Sequence, residues 1–299
     1  MRLPRFAAAT TALPLLALGL AACSSSTSTT ASSASASSSA NEPHRIVSLS
    51  PTATEDLFAI GAGSQVVAVD KDSDYPASAP KTTLDPITPN VEAILKYSPD
   101  LVVASEDSNG LVAALKKVGV TVLMEPAANT LNDAYTQIEQ LGRATGHVTS
   151  ADSTVATMKS EIATAVRQAG SKHSDLTYYW ELDPTYYSAT STTFIGQIAG
   201  LFGLENIADK VDKAADGGYP QLSSEYIAQS SPSIIFLADT VCCGASATSV
   251  AARPGWSGIA AVKVDDVVAL NDDVASRWGP RLPQLVQALA AAVEKAPAK

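Results

Sequence analysis

Histidine, cysteine, methionine and tryptophan occur only three times each in this 299-residue chain, and 20 Lys and Arg face 30 Asp and Glu. Each shortage excludes something. His44, His147 and His173 are dispersed, which does not support a His-rich zinc or manganese centre. A net charge of −10 without clustered Lys and Arg argues against nucleic-acid binding, which needs cations against the phosphates. The common catalytic patterns are missing too. Residues 244–248 lack the second glycine of a G-x-S-x-G elbow, and there is no Walker loop or G-x-G-x-x-G. Thirty acids supply many carboxylates, yet no spacing singles out a catalytic pair. On this reading the chain is not an enzyme.

Long apolar runs are also few. Residues 7–20, after Arg2 and Arg5, are too short for a comfortable membrane span and read as an export signal. Leu20-Ala21-Ala22-Cys23 resembles a bacterial lipobox, with cleavage before Cys23 and a lipid on it. Residues 24–40 contain only Ser, Thr and Ala and should form a tether, because they have almost no apolar surface to bury. The folded part is then expected outside the cytoplasmic membrane. Once Cys23 is lipidated, Cys242 and Cys243 remain as an adjacent pair, read either as a vicinal disulfide or as two buried thiols, and weak as a metal site.

The present features begin with an internal repeat. Residues 92–104 and 225–237 align without a gap at an offset of 133, matching Glu92 with Glu225, Ile94 with Ile227 and Ser98-Pro99 with Ser231-Pro232. Each copy reads as a short helix opened by Glu, stopped at Ser-Pro and followed by a buried strand. Around the first copy, strands are expected at 45–49, 66–69 and 120–124 and helices at 55–60 and 111–118, the alternation of a parallel α/β lobe. Helices at 131–145 and 150–168 follow with no strand between 126 and 174, and the longer one suits a spine between two lobes. The second lobe has strands at 176–182 and 264–270, a helix at 194–201 and a closing helix at 282–295. Ligands of α/β lobes bind outside the carboxyl ends of strands, where Tyr186, Tyr187 and Tyr219 fall in loops. In Tyr178-Tyr179-Trp180, alternate residues face opposite sides, so some are core. Arg277 and Arg281 suit a bidentate grip on an anion or salt bridges to Asp272 or Asp273, and residues 253–256 read as a turn anchoring a helix.

R-I-V-S-L-S-P-T-A-T-E at 45–55, S-P-D-L-V-V-A at 98–104 and Y-P-Q-L-S-S-E at 219–225 together resemble the substrate-binding proteins of ABC importers for cobalamin and ferric siderophores. The resemblance runs from about Arg45 to the C-terminus. It implies two Rossmann-like α/β lobes with parallel central sheets, joined by one long rigid helix, with a ligand cleft between them. The expected divisions are 1–22 signal peptide, 23–43 lipidated cysteine and tether, 44–147 first lobe, 148–170 linking helix and 171–299 second lobe. By motif position Glu92 and Glu225 would dock on arginines of the permease dimer, which works with its ATPase; Glu55 is the rival in the first lobe. Tyr75 and Tyr219 match aromatic ligand contacts, and Asp273 and Arg277 align with cleft residues. Pro86 stands where cobalamin-binding relatives have Trp, which leaves cobalamin, haem and ferric siderophores open. No cofactor is expected; iron or cobalt would arrive within the ligand. The implied protein is a monomer held at the outer face of the cell membrane. The competing readings are a secreted α/β hydrolase and a surface interaction protein that kept the fold without transport.

Overall fold

The computed structural model describes residues 42–170 and 175–296. The export signal, Cys23, nearly all of the tether and His173 lie outside them. The first part of the chain runs β1 (Ile46–Leu49), α1 (Pro51–Ala59), β2 (Val66–Asp70), β3 (Lys81–Leu84), α2 (Val91–Leu95), β4 (Leu101–Ala104), α3 (Leu111–Lys117), β5 (Thr121–Met124), α4 (Leu131–Thr145) and α5 (Val148–Ala169). The second runs β6 (Thr177–Glu181), α6 (Phe194–Gly200), β7 (Glu205–Asn206), α7 (Ser224–Ser230), β8 (Ile234–Leu237), α8 (Thr240–Cys243), α9 (Ala247–Ala251), α10 (Ala260–Lys263), β9 (Val267–Ala269), α11 (Asp272–Ser276) and α12 (Leu282–Lys295). The strands form two sheets, ordered β3-β2-β1-β4-β5 and β7-β6-β8-β9, with every pairing parallel. The two-lobe α/β expectation is met.

The central strands β1, β4 and β8 are covered on both faces, which is why they read as continuous apolar runs. Alternation decides which face each residue serves. Val47, Leu49, Val102 and Ala104 pack outward under α2 and α3, while Ile46, Leu101 and Val103 face the helices at the centre. In the second sheet Tyr179, Ile235 and Leu237 enter one core, and Tyr178, Trp180, Ile234 and Phe236 the other. Tyr178, Tyr179 and Trp180 are therefore all core. The central core is continuous across both lobes: Ile46 and Val103 share it with Trp180 and Phe236 through α4, α5 and α12.

The repeat is a structural repeat. Asn90 caps α2 and Ser223 caps α7, each accepting a backbone N–H three residues on. Glu92 and Glu225 both sit in the first turn, where a carboxylate favours the helix dipole. The residue before proline does not retreat to extended backbone as its sequence suggests. Ser98 and Ser231 are left-handed, with φ of 48° and 45°, and in the second copy this closes the helix through a bond from the Ser231 N–H to the Ile227 carbonyl. In the first copy, Arg45 donates to the carbonyls of Tyr97 and Ser98 and clamps the same turn.

The central helix begins two residues before its expected start and ends one after. Gly142 of α4 lets α5 approach closely: a Cβ there would lie 2.4 Å from the Ala151 Cβ. Alanine would favour an isolated helix by about 1 kcal/mol over glycine, but overpacking a core contact costs about 1–3 kcal/mol, so the clash should win. We expect Gly142→Ala to lower the melting temperature by about 2–6 °C, measured by thermal denaturation; an increase would show that the two helices part easily.

Candidate functional site

The carboxyl ends of both sheets carry acids and exposed apolar side chains, and the lobes meet beside them. The meeting is built on Glu55, whose side chain is fully buried. It lies on α1, which Ser50 caps and Pro51 opens. Arg281 donates to both of its carboxylate oxygens, at 2.7 and 2.5 Å. Arg277 donates to Glu55 at 2.8 Å, to Asp74 at 2.9 Å, to Asp273 at 2.6 Å and to the Asp72 carbonyl at 3.1 Å. Two guanidiniums from the second lobe are thus held by carboxylates of both lobes. Around this node Trp278 donates to Gln137 at 2.7 Å, and Gln197 to the Asn129 carbonyl at 2.6 Å. Gly279 passes so close to α1 that a Cβ would lie 3.2 Å from Asp56.

Electrostatics follow the geometry. Burial works against an ionised Asp74, but its bond to Arg277 outweighs this and lowers its pKa below the ordinary carboxylate value. Asp273 is raised, by burial first and also by the neighbouring Asp74, despite Arg277. Burial, then the charges of Glu55 and Glu125, lifts Asp56 well above the ordinary range. Burial also pushes Glu125, just past β5, to about 8. In the second lobe Glu181 ends β6 and takes a bidentate pair from Arg253, at 2.5 and 2.6 Å. Asp239, buried beside it, is pushed up to about 7 by burial and the Glu181 charge.

The expected site residues divide clearly. Tyr75 is about half exposed and lies under Arg281, whose guanidinium carbon is 4.4 Å from the ring centroid; Asp273 and Arg277 join it at the node. Tyr187 and Tyr219 are exposed and lie on neighbouring loops. Tyr187 bridges Gln221, and the Ser188 and Thr190 N–H groups donate to the carbonyls of Pro220 and Gly218. Tyr186 is half-buried: its ring packs 5.6 Å from the buried Trp256 and under Arg253, against the second lobe's core. Its backbone is left-handed, with φ of 70°, and it is less exposed than Tyr187. Residues 253–256 are more than a turn, since Arg253 neutralises Glu181 and Trp256 is buried. Glu55 is inaccessible to a partner protein, which removes it as a docking residue. Glu92 and Glu225 are exposed on their separate lobes. Cys242 and Cys243 form a disulfide on an exposed turn and are not buried thiols. Asp272 accepts from the Val241 and Cys242 N–H groups and ties that turn to α11.

Four contributors are not marked as such in the sequence. Glu55 and Asp74 form the arginines' environment, yet lie more than 200 positions away. Ile87 and Val241 are 69% and 70% exposed at the carboxyl ends of β3 and β8, and an apolar residue beyond a strand end was the available signal. A hollow of about 580 Å³, lined by His44, Asp100, Leu101 and Thr121, lies at the amino end of the first sheet. It is therefore on the wrong side for a parallel-sheet ligand site.

This architecture, two parallel α/β lobes meeting at their strand carboxyl ends, is that of a bilobal solute-binding protein. The chain belongs to the periplasmic binding protein family, whose model matches residues 46–274. It is 34% identical over 261 residues to the uncharacterised ABC transporter substrate-binding lipoprotein YvrC of Bacillus subtilis, covering 84% of this chain and 80% of that one. It is 31% identical to a cobalamin-binding protein of Halobacterium salinarum, covering 81% of this chain and 67% of that protein. Among solved structures it superposes on a possible iron-binding periplasmic solute-binding protein of Staphylococcus epidermidis with a TM-score of 0.71. That match has 27% identity and covers 84% of this chain and 99% of the other.

Removing one partner of a buried ion pair leaves an uncompensated charge. Glu55→Ala should therefore cost about 3–5 kcal/mol, whereas Asp74→Ala, at the exposed end of the network, should cost under about 1 kcal/mol. Chemical denaturation of both variants checks this, and equal losses would show that burial does not set the cost. Glu125 generates a pH prediction. Below its ordinary 4.5 both folded and unfolded chains hold the proton. Between 4.5 and about 8 the unfolded chain releases it first, so this group's contribution to stability falls as pH rises. Glu125→Gln should make the decline in melting temperature across that window shallower; parallel curves for variant and parent would contradict the assignment.

Proposed function

We propose that the protein is the extracytoplasmic solute-binding component of an ABC importer, taking up a metal chelate between its lobes and delivering it to a permease dimer and its ATPase. It acts by binding and transfer, not by catalysis. The observation that carries this reading is the two-lobed frame with a repeated, exposed glutamate at the start of α2 and of α7. A pseudo-twofold protein meeting a twofold permease needs equivalent contacts on its two halves, and Glu92 and Glu225 occupy equivalent places. Tyr75, Tyr187 and Tyr219 are the aromatic contacts assigned to the ligand, with Asp273 and Arg277 shaping the cleft beside them. The cobalamin-binding relative supports a flat macrocyclic chelate as one such ligand. Cys23 is assigned the lipid that holds a monomeric protein at the outer face of the membrane through the tether.

The docking assignment separates from ligand binding. A Glu92→Ala, Glu225→Ala double variant should lose uptake in cells while keeping the parent's chelate affinity in titrations of the purified protein. Normal uptake by the double variant would show that the permease docks elsewhere.

A further inference from the structure

The charge of a ligand held at the strand carboxyl ends depends on which cations there are free to meet it. Four basic side chains stand there. Arg277 and Arg281 are shared among Glu55, Asp74 and Asp273 at 2.5–2.9 Å. Arg253 is locked onto Glu181, and Lys71 onto Asp85 at 2.6 Å. Lys213 is exposed after the edge strand β7 and lines a hollow with Gln221 and Leu222, in a segment that also holds Asp212 and Asp216. The acids in the same loops exceed these pairings. At the central node three carboxylates meet two guanidiniums. Glu106 is also exposed past β4. The exposed large apolar side chains of these loops that carry no ion partner are Tyr187, Tyr219, Ile87 and Val241.

We infer that the cleft selects an uncharged or cationic chelate with an apolar face and rejects anionic chelates. This rests on the solute-binding reading above. An anionic ligand would have to draw Arg277 or Arg281 from partners already at hydrogen-bond distance. It would also lie against a surplus of carboxylates, and like-charge juxtaposition is strongly disfavoured in a partly desolvated site. An uncharged or cationic ligand leaves the node intact and covers the exposed aromatic and aliphatic side chains, and tyrosine faces attract cations.

Titration of the purified protein, followed by tryptophan fluorescence, tests this with cyanocobalamin, a cationic ferric trihydroxamate, haemin and a ferric tricatecholate. We expect the tightest ligand to be one of the first two, by at least about a hundredfold over either anion. We also expect added salt to improve anion binding by screening the repulsion. Asp74→Asn, and separately Asp74→Asn with Asp273→Asn, should raise affinity for the anions roughly tenfold or more. An anion binding as tightly as the best uncharged or cationic ligand would overturn the inference and leave the solute-binding reading standing, as would no gain for the anions in either variant. Binding of none of the four would overturn both.

Discussion

Glu55 is one carboxylate placed out of water between two arginines from the opposite lobe, and the arrangement of the lobes depends on it. Burying such a cluster costs several kcal/mol of desolvation per ion, so the gain in net stability is small even with good geometry. What the cluster supplies is discrimination among lobe arrangements. A rotation that separated α1 from residues 277–281 would leave buried charges unpaired, and that state is far worse than either the native contact or full exposure. The apolar core that runs through α4, α5 and α12 fixes the lobes more coarsely, because hydrophobic contact is not directional. The ion cluster adds direction at the place where a ligand would enter.

The same cluster changes the meaning of the arginines. From sequence, Arg277 and Arg281 look like grips for an anion. In the structure Arg277 is coordinated by Glu55, Asp74, Asp273 and a backbone carbonyl, and Arg281 by Glu55 with Tyr75 beneath it. A guanidinium has five N–H donors in a fixed fork, and those of Arg277 are directed mainly at the protein itself. The residues best suited to an anion are thus the ones least free to bind it.

Much of the fold was legible because its signals are local. The periodicities of α4 and α12 gave their limits, and the buried runs of β1, β4 and β8 stood out against their flanks. The repeat pointed to two lobes because both copies keep the same opening glutamate and Ser-Pro stop. Strands β3 and β7 escaped notice: one is Lys-Thr-Thr-Leu and the other two residues long, and both lie at sheet edges where the apolar pattern fades. The short helices α8 to α11 were also missed, since four or five residues give too few turns for periodicity. In the site, the Asp273–Arg277 pair was legible from its i, i+4 spacing. Glu55 was not, because a buried charge and its partners 222 and 226 residues away leave no local mark. Tyr186 and Tyr187 show the limit at its narrowest. Two adjacent identical residues part company, one half-buried against Trp256 and one exposed on the rim, and the first sits in a left-handed turn that its sequence does not signal.

A shared core and a charged node also bear on how such a protein would release its ligand. Hinge closure needs a few residues that absorb rotation while the packed parts stay intact. Here the core itself crosses between the lobes, so a large rotation would shear Ile46 and Val103 away from the layer they share with Trp180 and Phe236. It would also pull Glu55 from two arginines. Both costs fall on the free protein, which should therefore open little unaided. If a permease holds the first lobe at Glu92 and the second at Glu225, it acts on the outer ends of α2 and α7, each packed against its own sheet. Force applied there would reach the node as a separation of whole lobes, and the work of breaking the Glu55 cluster would come from the transporter, not from the ligand.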